Sequence, residues 1–126
     1  MVVLKRKDFA RWQVGERLSD AALCKAIRQM ECGLIDADLG GFLYKLRVAR
    51  PGSGKRGGYR TLLSARIGSG YVFLHGFPKS DKANVTSDEI KAPQFAGKVF
   101  LGLTAHALSK ALQAGVLLEV LCEQDH

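Results

Sequence analysis

Three observations predict an α+β fold, with an antiparallel sheet covered by helices on one face and open and basic on the other. Two central segments, residues 42–49 and 59–67, alternate side chains with a period of two, one set apolar and the other carrying Lys or Arg. The flanking segments repeat apolar residues at helical spacing instead. The positive charge is confined to the middle: residues 41–82 hold nine Lys/Arg against Asp81 alone, a surplus of +8, whereas residues 1–40 sum to +1 and residues 83–126 to −2. A sheet with one apolar face is covered by helices on that side only. The other side is left positive.

Each element has its own signal. Val2 to Leu4 can form a short strand. Phe9 and Trp12 stand at i, i+3 in the helical turns that follow, with Gly15 able to end them and Trp12 read as core. Ser19 is suited to cap a second helix, with Asp20 in its first turn, Leu23, Ala26, Ile27 and Met30 as its apolar stripe, and Gly33 as its stop. Residues 36–41, "DADLGG", read as a loop. In 42–49, Phe42, Tyr44, Leu46 and Val48 oppose Leu43, Lys45, Arg47 and Ala49. A Gly-rich basic connection covers 50–58. In 59–67, Tyr59, Thr61, Leu63, Ala65 and Ile67 oppose Arg60, Leu62, Ser64 and Arg66. Gly68-Ser69-Gly70 makes a hairpin turn into a third strand over 71–77, closing an antiparallel meander. That strand is apolar on both faces, so the sequence leaves open which way Tyr71, Phe73, His75 and Phe77 point. A helix begins at Thr86 or Ser87, and Pro93 should kink or end it. Thr104 caps a last helix that Gly115 stops, and "VLLEVLC" is either an edge strand or a partner-binding segment.

The 126 residues, with a net charge of +7, suffice for one core and one domain, 1–126. No apolar run reaches the length of a membrane span, and Val2, Val3 and Leu4 are too few for a secretory signal. A cytoplasmic protein without membrane contact is expected. Cys24, Cys32 and Cys122 form no C-x-x-C pair and have no histidine at ligand spacing; they are expected to be reduced, small buried groups, with no metal site. The central surplus of charge suits a polyanion, either nucleic acid or an acidic protein segment. If the two alternating strands pair, Lys45, Arg47, Arg60 and Arg66 gather on one surface. Like charges placed there repel, so structure alone gives no reason to collect them.

In order and spacing, "YKLRVAR", "GGYRTLLSAR" and "FLHGFPKSDKANVTSDEIK" resemble the RelE-like toxins of the RelE/ParE superfamily, from bacterial type II toxin–antitoxin systems, over roughly residues 5–120. The resemblance implies a compact domain, with N-terminal helices on one face of a twisted antiparallel sheet and a concave, basic opposite face that enters the ribosomal A site and cleaves mRNA. It matches the family's catalytic basic residues to Lys45, Arg47, Arg60 and Lys79. Arg50, Lys55, Arg56, Arg66 and Phe77 are candidate RNA contacts. The implied partners are a cognate antitoxin, the ribosome with its mRNA, and operator DNA reached only through the antitoxin. No cofactor is implied.

The chemistry suits those residue types. Attack of a 2′-OH on the adjacent phosphate builds negative charge on phosphorus-bound oxygens, which fixed cations stabilise without a metal. A base for the 2′-OH and an acid for the 5′-oxygen add typically ~10²–10⁴-fold. Many RelE-type enzymes carry a tyrosine shortly after the position of Lys79. Here "SDKANVT" follows, leaving His75 or Lys45 as candidates and the base unassigned. Two other readings use the same charge: a ParE-like gyrase inhibitor, and a non-catalytic nucleic-acid-binding protein, or degenerate toxin, that contacts phosphates alone.

Overall fold

The computed structural model describes residues 2–50, 54–78 and 86–122, and the side chains of 54–57 fall outside that description. Its strands are β1 (Val2–Arg6), β2 (Ala37–Gly40), β3 (Leu43–Arg50), β4 (Gly54–Arg66), β5 (Gly70–Pro78) and β6 (Leu117–Glu119). The helices are α1 (Lys7–Gly15), α2 (Asp20–Glu31), α3 (Ser87–Leu101) and α4 (Ala105–Gln113). The strands form one sheet in the order β2-β3-β4-β5-β1-β6. All neighbouring pairs are antiparallel except β1–β5, which is parallel. The expected α+β class and antiparallel meander are therefore present, and residues 2–6 lie inside the sheet.

The first face is covered as the sequence implies. Ser19 Oγ accepts from Ala22 N–H at 3.1 Å, opening α2. Leu23, Ile27 and Met30 then pack with Phe9 against Leu46, Val48, Leu63, Ala65, Tyr71 and Phe73. Trp12 lies on Gly76 so closely that any Cβ there would overlap its ring.

The second face is not wholly open, which corrects the one-sided covering expected. Leu43, Leu62, Val72 and Leu74 form a second core beneath Ile90, Phe100 and Leu101 of α3 and Leu108 and Leu112 of α4. The physical reason lies in the register. Leu43 pairs with Ser64, Lys45 with Leu62 and Arg47 with Arg60, so this face is apolar at one end and cationic at the other. α3 covers the apolar end, and Gly97 lets its backbone approach Ser64 where a Cβ could not fit.

Four local expectations change. Residues 37–40 are strand β2, and the connection after β3 is shorter than expected, because Arg50 already pairs with Gly54. α3 runs unbroken through Pro93, opened by a capping box between Thr86 and Glu89. Cys24 and Cys122 are not separate thiols but a disulfide, with Cα atoms 5.6 Å apart, well within bonding range, and Cys32 is exposed and free. That pairing follows from the path of the tail. Val120 N–H donates to Val3 O and Leu121 N–H to Asp20 Oδ2, which brings Cys122 over α2, 98 residues from its partner in sequence. Among the described residues, no helix is long and apolar enough to cross a membrane.

Candidate nucleic-acid interface

Three strands build the cationic end of the second face. Strand alternation puts Lys45 and Arg47 of β3 on the side of Leu43, and Arg60 of β4 on the side of Leu62. β5 would not continue this pattern without a bulge. The register slips at Leu62/Leu63, so that Leu63 pairs with Phe73 and Leu62 with His75, leaving Leu74 as an extra residue. Before the bulge, Tyr71 and Phe73 face the first core. After it, His75 and Phe77 face the cationic side. Two cross-strand rows result: Arg47–Arg60–Phe77, and Lys45–Leu62–His75.

The groups differ in exposure. Arg47 and His75 are exposed, while Lys45 and Arg60 are buried, their side chains 10% and 8% accessible. A charge so placed needs a partner. Asp36 supplies it: Oδ2 lies 3.5 Å from Lys45 Nζ and 3.2 Å from Arg60 Nε. The Asp36 N–H also donates to Lys45 O at 3.0 Å. Arg60 Nη1 is buried and has no hydrogen-bond partner among the described residues. The His75 and Phe77 rings lie 5.8 Å apart, with Phe77 itself buried in the second core.

The remaining candidates are dispersed. Arg66 lies six residues along β4 from Arg60, about 20 Å at strand spacing, and its Nη1 donates to Leu101 O at the end of α3. Arg50 sits at the β3–β4 bulge, its guanidinium carbon 5.8 Å from the centre of the Tyr59 ring. Lys55 and Arg56 are on the first residues of β4, with side chains outside the described set. Lys79 lies outside the described residues altogether.

All three tyrosines, Tyr44, Tyr59 and Tyr71, pack with the α1–α2 core, away from the cationic row. Burial pushes the Tyr71 phenol above its ordinary pKa, and its hydrogen bond to Glu31 at 2.6 Å adds to the effect. Burial likewise raises Tyr59. Among the described residues, no group of three or more His, Cys, Asp or Glu is placed to hold a metal ion.

The sequence reading missed Asp36, which looked like one of two acids in a glycine-ended loop. Only the β2–β3 pairing of Ala37 with Lys45 brings its carboxylate to the cations.

A family model described as the RelE toxin of the RelE/RelB toxin–antitoxin system matches residues 1–120. No curated protein matches the chain.

Proposed function

The chain belongs to the RelE toxin family of RelE/RelB toxin–antitoxin systems, and from that premise we propose that it is a ribosome-dependent endoribonuclease that cuts mRNA and stops translation. As a toxin of such a system it has an antitoxin as partner. The ribosome, the mRNA and the cytoplasm as its place of action belong to the proposal, as does operator DNA reached through the antitoxin.

The observation that carries this reading is the direct pairing of Arg47 with Arg60. Two like charges opposite each other in a sheet lower stability, and a phosphate between them reverses the sign. In the proposed reaction the 2′-oxygen bonds to phosphorus as the 5′-oxygen leaves, giving a 2′,3′-cyclic phosphate and a 5′-hydroxyl. Arg60, with a donor to spare, and Arg47 stabilise the charge on the non-bridging oxygens. Lys79 is assigned to the same phosphate by its place in the family pattern. His75 is exposed beside this row and its imidazole can both accept and donate a proton, so it is assigned the proton transfer that no tyrosine on this face can perform. Phe77 is buried with its ring 5.8 Å from that of the exposed His75, so stacking of a base falls to the His75 ring.

Primer extension on a defined mRNA, in a reconstituted translation reaction with and without ribosomes, tests the proposal. New 5′ ends that need ribosomes and vanish with Arg60→Ala support it. Intact mRNA in both reactions refutes it, and a DNA supercoiling assay then asks whether gyrase is the target.

A further inference from the structure

We propose that Asp36 is a positioning residue of the cationic site, one that fixes Arg60 and Lys45 relative to each other before RNA arrives. The inference deepens the nuclease reading and rests on it. Its starting point is a contradiction. A surface shaped only to attract phosphate gains nothing from a carboxylate at its centre, since like charge repels the ligand. Yet one oxygen of Asp36 touches cations from two strands, Lys45 at 3.5 Å and Arg60 at 3.2 Å. Its backbone also hydrogen-bonds to the strand that carries Lys45.

The way Arg60 is held resolves it. Asp36 engages Nε and leaves Nη1 buried without a partner among the described residues. A buried donor left unsatisfied is costly, and its complement is an anion. The side chain is thus restrained through one nitrogen while another is left unpaired. Catalytic groups gain rate from such restraint because their geometry is set in advance. The local negative charge is the cost, and it falls on binding. Asp36 should therefore weaken RNA affinity while raising the rate of cleavage.

Three variants separate this role from simple charge compensation. Asp36→Asn keeps an oxygen for Arg60 without the charge, Asp36→Glu keeps the charge on a longer arm, and Asp36→Ala removes both. Each is assayed for single-turnover cleavage of ribosome-bound mRNA, for affinity to a 2′-O-methyl RNA oligonucleotide that cannot be cut, and for melting temperature. The expected result for Asp36→Ala and Asp36→Glu is a rate lowered by up to roughly 100-fold, the loss that a small misplacement produces. Asp36→Asn should lose less rate, and affinity for the oligonucleotide should hold or rise in Asp36→Asn and Asp36→Ala. Rate and affinity falling together, in step with stability, overturn the proposal, as does full activity in Asp36→Glu.

A readout independent of activity accompanies these. The Arg60 Nε–H resonance, assigned by its loss in Arg60→Lys, should exchange slowly with water in the wild type and faster in Asp36→Asn, with the backbone spectrum retained. Equal exchange in both overturns the grip of Asp36. If the wild type leaves mRNA intact, the nuclease reading fails by itself, and the exchange and affinity measurements still decide what Asp36 does.

Discussion

Neutralising Arg47 should make this protein more stable and less active at once. Arg47 and Arg60 are directly opposite across β3 and β4. Cβ atoms in such a pair are about 5 Å apart; two unit charges held at that distance repel by about 0.8 kcal/mol in water and about 3 kcal/mol at an effective dielectric of 20, an upper limit for guanidinium groups that can splay apart. Arg47 is exposed and Asp36 partly offsets Arg60, so the lower figure governs. Arg47→Gln should then gain about 0.5–1 kcal/mol at low salt. With a urea slope of about 1.5 kcal/mol per molar, the unfolding midpoint rises by about 0.3–0.7 M. At 1 M salt, where screening acts within about 3 Å, most of the gain should disappear. Urea unfolding at the two salt concentrations, beside primer extension, provides the assay. A variant less stable at low salt, or a gain untouched by salt, would refute the argument that these arginines are held together against their own repulsion.

Two further predictions concern the scaffold. Gly97→Ala improves helix propensity by roughly 1 kcal/mol, yet it should lower the melting temperature, because its Cβ meets Ser64 Oγ and overpacking costs about 1–3 kcal/mol. Adding Ser64→Gly should recover part of the loss in a double-mutant cycle of thermal melts. Burial would raise the Asp20 carboxyl, but hydrogen bonds from Gln13, Leu121 N–H and Lys5 outweigh it and hold it below the ordinary value. A folded pKa that is depressed gives stability present in full above the unfolded value near 4 and lost as pH falls through the folded one. Asp20→Asn should be less stable at neutral pH and lose less on acidification; an unchanged acid limb would count against that network.

Much of this arrangement was legible in the sequence, because alternation in β3 and in the first half of the meander is a strictly local signal. Lys45, Arg47 and Arg60 fall on the face that their spacing assigned. Legibility ended where a residue's face depends on something non-local. The bulge at Leu74 turns His75 and Phe77 away from the side of Tyr71 and Phe73, and a strand apolar on both faces gives no hint of it. The second helical layer was hidden because Lys45, Arg47 and Arg60 share their strand face with Leu43 and Leu62, the leucines that pack beneath α3. Asp36 and the Cys24–Cys122 pair were out of reach for the same cause: each acts through a neighbour that only the folded chain supplies.

The interior place of β1 has a consequence for when the protein becomes a toxin. Val2 pairs with Gly70 and Leu4 with Glu119, so the first strand made has its two neighbours made much later. Loop closure over such spans must precede the contacts that reward it. The β3–β5 hairpins are local and can pair early during synthesis, but the sheet stays open beside β5 until β1 is seated, and β1 keeps a bare edge until residues 117–119 emerge. At about 5–20 residues per second, the stretch from the end of β5 at Pro78 to the end of β6 at Glu119 takes a few seconds of elongation. A nascent chain therefore carries its arginine row before it has a finished body to hold it rigid, and a message broken before codon 117 yields no completed toxin.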